Sequence, residues 1–63
     1  MYKAQHIESK KWLCNYLKRH LASKEKDASI FLNREYIENY IKNNGYNVIQ
    51  FSIIKCDYTG KEI

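Results

Sequence analysis

The sequence predicts an α+β domain in which two amphipathic helices pack on a small sheet. Three observations support this class: apolar residues recur at helical spacing over residues 8–22 and again over 33–44, and they alternate with a period of two over 46–57. The chain has 63 residues, of which 44% are hydrophobic and 14% aromatic, a composition typical of a globular protein rather than a disordered segment. We therefore expect residues 1–63 to form a single small domain.

The first predicted helix covers residues 8–22. At about 100° per residue, the apolar and aromatic side chains fall on one half of the helical wheel and the polar ones on the other. The apolar half carries Trp12, Leu13, Tyr16, Leu17, His20 and Leu21, and the other half carries Glu8, Lys11, Asn15, Lys18, Arg19 and Ala22. The polar run over residues 23–29 breaks this pattern and predicts a solvated loop.

The second predicted helix covers residues 33–44 and has clear signals at both ends. Asn33 is a favourable N-cap residue, and Glu35 lies in the first turn, where the helix dipole favours an anion. Gly45 is suited to the left-handed conformation that often ends a helix. The apolar stripe of this helix consists of Tyr36, Ile37, Tyr40 and Ile41.

A long strand is predicted over residues 46–57. Ile49, Phe51 and Ile53 alternate along it, so they point to one face of a sheet. Residues 57–61 form a turn signal, and too few residues follow it for a full return strand. An unpaired apolar strand invites association, so we expect a neighbour. The candidates are short strands at 2–7 and 29–32, or the same strand of a second copy.

No feature of the sequence points to a membrane or to secretion. No run of 18 apolar residues is present, and the segment from Met1 to His6 lacks the continuous apolar stretch of a signal peptide. Cys14 and Cys56 are the two cysteines, too few for a disulfide framework. We therefore expect a cytoplasmic protein with reduced thiols and no membrane partner.

The small size and the composition indicate a chain that works with a partner. Domains below about 70–80 residues rarely gain more than about 3–5 kcal/mol from their core, so we expect a homodimer or an obligate complex. Lys, Ile, Asn and Tyr, whose codons are AT-rich, make up nearly half of the chain, whereas Pro is absent. Very short products of AT-rich genomes are often accessory proteins of a phage, a virus or a plasmid.

The formal net charge of +4 is concentrated in one segment. Residues 10–26 carry six cationic side chains and one acidic one, whereas residues 33–63 carry four of each. Cations on one helix face neutralise phosphates, and a polar Asn there contacts a base edge or a phosphate. The segment predicts a DNA- or RNA-binding regulatory module, although an ordinary solvated helix face fits the same pattern. The candidate nucleic-acid-binding residues are Lys10, Lys11, Asn15, Lys18, Arg19, Lys24 and Lys26.

The alternative function is a protein-binding inhibitor or adaptor that attaches to a larger host or viral machine. A basic patch also recognises acidic protein surfaces, and an unpaired strand edge accepts an extended segment. Tyr46 and Tyr58 lie near the ends of predicted elements, and exposed tyrosines are frequent hot spots of protein interfaces. These two tyrosines are therefore the candidate protein-binding residues.

Catalytic and metal-binding motifs are not found in the sequence. Cys14 and His20 are six residues apart, so on one helix they would diverge by about 240° and could not hold one metal ion. The segment 56–61 resembles a zinc-ribbon knuckle, but Thr59 stands where the second cysteine would be. No nucleophile–base pair and no Gly-rich phosphate loop can be identified. We expect no enzyme activity, cofactor, metal ion or small-molecule substrate.

Overall fold

The structure is a computed structural model that describes residues 1–18 and 20–63. Within these residues, four short strands form an antiparallel sheet of order β3–β2–β1–β4, and one α-helix packs on it. The α+β class is therefore confirmed, but the expected pair of helices is not. The elements are β1 (Tyr2–His6), β2 (Trp12–Leu13), β3 (Leu21–Ala22), α1 (Arg34–Asn43) and β4 (Phe51–Lys55). Two short 3₁₀ turns lie at Glu25–Asp27 and Val48–Gln50.

The predicted helix over residues 8–22 is wrong. Trp12 pairs with Ala22 and Leu13 with Leu21, so this segment holds two short strands and the turns around them. Trp12, Leu13 and Cys14 are consecutive, and all three are buried. A helix on a core buries one stripe only, whereas a strand covered on both faces buries consecutive residues. The helical spacing of the apolar residues was therefore a coincidence of strand and turn positions.

Both turns of this region place a non-glycine residue in the left-handed part of backbone space. Lys10 has φ of 62° in the turn between β1 and β2, and His20 has φ of 62° just before β3. Such a conformation costs roughly 1–2 kcal/mol for a residue with a Cβ. Neither position carries the Gly or Asn by which a turn is usually predicted from sequence.

α1 confirms the second predicted helix to within one residue at each end. Asn33 caps it, because its Oδ1 accepts a hydrogen bond of 2.9 Å from the backbone N–H of Tyr36. Gly45 follows the helix with φ of 84°, a conformation open to glycine at little cost. Ile37 and Ile41 are fully buried, whereas Tyr36 is exposed. The helix therefore packs through its isoleucines, and Tyr36 lies outside the core in contrast to the predicted stripe.

The predicted long strand is shorter than expected. Residues 48–50 form a 3₁₀ turn instead, because the side chain of Gln50 accepts a hydrogen bond of 2.7 Å from the backbone N–H of Asn47. This local bond competes with strand pairing. Ile49, expected on the apolar face, is 80% exposed as a result. The strand proper begins at Phe51 and ends at Lys55.

β1 is the neighbour that β4 needs. The two strands pair along their full length, from Tyr2 opposite Lys55 to His6 opposite Phe51. The short strand expected at 2–7 is thus present, whereas the segment 29–32 contributes a single bridge, between Phe31 and Tyr2. The core between this sheet and α1 consists of Ala4, Leu13, Ile37, Ile41 and Phe51.

Candidate functional site

The two faces of the sheet are covered differently. α1 packs on the face that carries Ala4 and Leu13. The opposite face is covered by the 3₁₀ turn Glu25–Asp27 and by the turn over residues 57–61. Between them opens a cavity of about 390 Å³, which we call the lysine pocket. Its lining consists of Lys3, Glu25, Lys26, Ala28, Ile30, Thr59, Gly60 and Lys61.

Lys3 forms the floor of the lysine pocket and is only 3% exposed. Its ammonium group pairs with the carboxylate of Glu25 and donates a hydrogen bond of 2.6 Å to the carbonyl oxygen of Gly60. The same nitrogen lies 5.0 Å from the centre of the Trp12 ring, a distance at which a cation is attracted to an aromatic face. A buried ammonium needs such partners, because leaving water without them is costly.

The position of Lys3 follows from strand alternation. Ala4 points into the core beneath α1, so its neighbours in β1 point to the opposite face. Lys3 could not be found from the charge pattern, because the excess of positive charge was sought on a helix over residues 10–26. Lys3 lies outside that segment. The pattern that indicates its position is a lysine within a predicted strand, followed directly by an alanine of the core.

The charges around the lysine pocket are unequal. Lys26 and Lys61 are both exposed at its rim, and Lys3 lies beneath them. Among the described residues of the lining, Glu25 is the only acidic one, so three lysines face one carboxylate and these residues carry a net charge of +2. The Glu25 side chain is 58% exposed, in contrast to that of Lys3 at 4%. The pocket therefore offers a cationic floor whose present counter-ion lies close to solvent.

The turn over residues 57–61 is held by Asp57. Its Oδ1 accepts hydrogen bonds from the hydroxyl of Thr59, from the Thr59 N–H at 2.8 Å and from the Lys61 N–H at 3.1 Å. The hydroxyl bond foremost, with the backbone N–H bonds, lowers the pKa of the Asp57 carboxyl below its ordinary value. Gly60 adopts φ of 88° within this turn and presents its carbonyl to Lys3. The expected turn is present and supplies one wall of the lysine pocket.

Three of the predicted nucleic-acid-binding lysines lie at one end of the β2–β3 hairpin. Lys10 and Lys11 precede β2, and Lys24 follows β3 by two residues. Because Trp12 pairs with Ala22, the residues after β3 leave the sheet at the end where the residues before β2 enter it. All three lysines are exposed. The hairpin thus gathers cations that come from separate parts of the sequence.

The remaining predicted residues lie elsewhere. Asn15 and Lys18 belong to the connection at the opposite end of the hairpin, Lys26 lines the lysine pocket, and Arg19 lies outside the described residues. The Asn15 side chain is already engaged, since its Oδ1 accepts a hydrogen bond of 2.9 Å from the hydroxyl of Ser29. The single helix face that would have joined these residues does not exist.

The two tyrosines named for protein binding differ in accessibility. Tyr58 is 80% exposed. Tyr46 is half-buried, and its ring meets Phe51 edge-on at 5.4 Å between centroids and His6 at 5.8 Å. Tyr46 therefore packs against the core, and of the two only Tyr58 presents most of its side chain to a partner.

A second polar cluster lies beside the core. Nδ1 of His20 is 2.6 Å from the hydroxyl of Tyr40, and burial raises the pKa of that phenol. The thiols of Cys14 and Cys56 are both buried and unpaired with each other.

In the part of the chain that the structure describes, no group of three His, Cys, Asp or Glu side chains is placed to hold a metal ion. None of the described helices is long and apolar enough to cross a membrane.

Comparison with protein families, with characterised proteins and with solved structures finds no match to this chain. The lysine pocket and the exposed cations around it are therefore the features of this protein that bear on its function.

Proposed function

We propose that this protein is a non-enzymatic nucleic-acid-binding module, an accessory regulator of the kind that phages, viruses and plasmids encode. The observation that carries the proposal is the lysine pocket, where three cations face one carboxylate. Phosphate contacts supply most of the sequence-independent affinity of nucleic-acid-binding proteins, and lysines at a concave surface supply such contacts. The AT-rich composition supports the assignment to a mobile element.

The exposed lysines around the pocket are free to meet phosphates. Among the described residues, the ion pairs are Lys3–Glu25 and Arg34–Glu38. Neither pair involves the exposed lysines of the hairpin end or of the pocket rim. Each cation that contacts a phosphate releases a counter-ion, so affinity falls as salt rises. The lysines proposed to contact the strand are Lys10, Lys11, Lys24, Lys26 and Lys61.

The test compares two double variants with the same loss of charge. Lys26→Gln with Lys61→Gln removes the rim of the lysine pocket, whereas Lys42→Gln with Lys55→Gln removes exposed lysines from α1 and β4. Fluorescence anisotropy with a labelled single strand and a labelled duplex measures the affinities at several salt concentrations. We expect the rim variant to bind at least about 10-fold more weakly and the control to change less than about 3-fold. Equal losses in both variants would contradict a local site.

We further propose that the module acts as a dimer joined through the outer edge of β4. The Ile7 N–H donates a hydrogen bond to the Gln50 carbonyl, and the Cys56 N–H donates one to the Met1 carbonyl. Because hydrogen-bonded pairs alternate along an antiparallel ladder, the even-numbered residues of β4 form the backbone hydrogen bonds to β1. The N–H and carbonyl of Ile53 therefore point outward, where no described residue bonds them. Such an edge is a template for another strand.

A second copy can pair with this edge. The N–H of Phe51 bonds to the Val48 carbonyl, and the Lys55 carbonyl accepts from Ile63, which leaves the Phe51 carbonyl and the Ile53 N–H free. In a two-fold antiparallel pairing about Ser52, the Ile53 N–H of each copy faces the free Phe51 carbonyl of the other copy.

The dimer is tested by sedimentation of the protein and of two Ile53 variants. Ile53→Pro deletes the outward N–H without removing a bond to β1, and proline is tolerated at such edge positions. We expect the wild type and Ile53→Val to associate and Ile53→Pro to stay monomeric while folded by circular dichroism. Equal association of both variants would contradict pairing through β4. A monomeric wild type that recovers a host protein instead of nucleic acid would favour the inhibitor or adaptor function.

A further inference from the structure

We propose that the lysine pocket binds a phosphate monoester and that the incoming phosphate displaces Glu25 from Lys3. The inference deepens the proposed function, because a phosphate monoester is the chemistry of the end of a nucleic-acid strand. It rests on that function only for the identity of the strand, since the same pocket would accept the monoester of a free nucleotide.

Charge favours a monoester over the phosphates inside a strand. A phosphate monoester carries about −1.5 to −2 at pH 7, whereas a phosphodiester carries a single negative charge. Once Glu25 has turned away, the three lysines of the lining carry +3, and a monoester neutralises more of that charge than a phosphodiester does. A phosphodiester offers Lys3 no more charge than the carboxylate of Glu25 already does. The exchange is therefore driven by the second charge of the monoester.

The burial of the two partners makes Glu25 the exchangeable one. The Lys3 side chain is held at the floor by Gly60 and Trp12 and has almost no exposed surface. Glu25 has more than half of its side chain exposed, and among the described residues its carboxylate has no hydrogen-bond partner besides Lys3. Glu25 can rotate into solvent and regain hydration, but Lys3 cannot leave without losing all of its contacts. A buried lysine with a departing counter-ion needs another anion.

The shape of the pocket also fits a terminal group. Its volume of about 390 Å³ lies within the range of about 300–1,000 Å³ common for small-ligand sites. The Lys3 side chain has almost no exposed surface in this lining, so a compact charged group suits its ammonium better than the interior of a strand does. Ala28 and Ile30 add an apolar wall on which part of a sugar can pack. A ligand with one charged end and one extending end satisfies this geometry.

The effect of Glu25→Gln on phosphate affinity distinguishes a binding site from an ion pair that only supports the fold. If the pair only supports the fold, Glu25→Gln lowers stability and gives no gain in anion binding. If phosphate competes with Glu25, the same substitution removes the competitor and tightens phosphate binding. The direction of the change in affinity therefore separates the two accounts.

The first experiment titrates ¹⁵N-labelled protein with inorganic phosphate at constant ionic strength and follows the backbone amides by NMR. We expect saturable shifts at Glu25, Ala28 and Gly60, binding about 3- to 10-fold tighter in Glu25→Gln, and binding at least about 3-fold weaker in Lys61→Gln. Lys42→Gln on α1 is the matched control and should bind as the wild type does. If Glu25→Gln does not fold, Lys61→Gln against Lys42→Gln decides the outcome. Absent or non-saturable shifts, or equal losses in those two variants, would overturn the proposal.

The second experiment separates the sources of the monoester. It compares a nucleoside 5′-monophosphate, the matching nucleoside, and one oligonucleotide carrying either a 5′-phosphate or a 5′-hydroxyl. We expect the phosphorylated strand to bind at least about 5-fold more tightly, with the difference lost in Lys61→Gln. A bound mononucleotide without preference for the phosphorylated strand would assign the pocket to free nucleotides and overturn its role at strand ends. If the protein binds the strand equally well with a 5′-phosphate and with a 5′-hydroxyl, this inference is refuted and the proposed function stands. If the protein binds phosphate but no strand, the proposed function is refuted and the phosphate site stands.

Discussion

The two faces of the sheet are closed by different physical means. Beneath α1, the side chains of Leu13, Ile37 and Ile41 are fully buried, and apolar packing holds the face together. On the opposite face, the ring of Trp12 is buried as well, and the buried ammonium beside it joins β1 to two polar turns. Apolar contacts are non-directional and add up over area, whereas the Lys3 contacts depend on particular partners. We therefore expect the helix face to contribute most of the stability and the pocket face to bind the proposed ligand.

The largest expected effect is a cavity on the helix face. Ile37→Ala removes fully buried methylene and methyl groups, so we expect the free energy of unfolding to fall by about 2–5 kcal/mol. Chemical denaturation followed by circular dichroism measures it. Because a domain of this size has a small reserve, Ile37→Val is the milder companion, with an expected loss of about 0.5–1.5 kcal/mol. Losses below about 0.5 kcal/mol for both variants would show that α1 does not support the fold as described.

A smaller loss of stability is expected at the floor of the lysine pocket. Lys3→Met keeps much of the side-chain volume against Trp12, and the freed partners, Glu25 and the Gly60 carbonyl, can turn to water at the pocket mouth. Removing one partner of an ion pair is costly when the other charge stays buried, but Glu25 is more than half exposed, so we expect a loss of less than about 1.5 kcal/mol. Phosphate binding should nevertheless be lost. A loss of stability as large as that of Ile37→Ala would remove the distinction between the two faces.

The smallest effect is expected at Asp57, and it depends on pH. The pKa of this carboxyl is lowered in the folded protein, so its contribution to stability is present above the unfolded pKa and is lost as pH falls through the folded pKa. The midpoint temperature of thermal unfolding should therefore decrease more steeply in the wild type than in Asp57→Asn as pH is lowered from about 6 to about 2. The asparagine keeps an oxygen at the same position but cannot titrate. Parallel curves would mean that the turn beside the pocket does not depend on this charge.

The helix could be predicted because its signals are local. Asn33 satisfies a backbone donor of the first turn, and Gly45 adopts the conformation that ends the helix, within a dozen residues of each other. Such signals do not depend on the rest of the fold. The β1–β4 pairing was one of several open alternatives, because alternation identifies a strand but does not name its neighbour.

The β2–β3 hairpin and the lysine pocket could not be predicted because long-range contacts decide them. Trp12 and Leu13 are adjacent in sequence and face opposite layers, and only the packing of both layers makes a strand preferable there. Lys3 meets Glu25 and Gly60 across 22 and 57 positions of sequence. The charge excess over residues 10–26 was assigned to one helix face, and the structure spreads these residues over a hairpin and its flanking turns. The structure instead joins Lys26 from that region with Lys3 and Lys61 from the two ends of the sequence.

The most direct test of the nucleic-acid-binding account is the salt dependence of single-strand binding. Each phosphate contact on a single strand contributes about −0.7 to the slope of log affinity against log salt concentration. If Lys26 and Lys61 each contact a phosphate, replacing both with Gln should make the slope shallower by about 1.4, while replacing Lys42 and Lys55 should leave it unchanged. An unchanged slope in the rim variant, or the same change in both variants, would contradict the assignment of nucleic-acid binding to the lysine pocket.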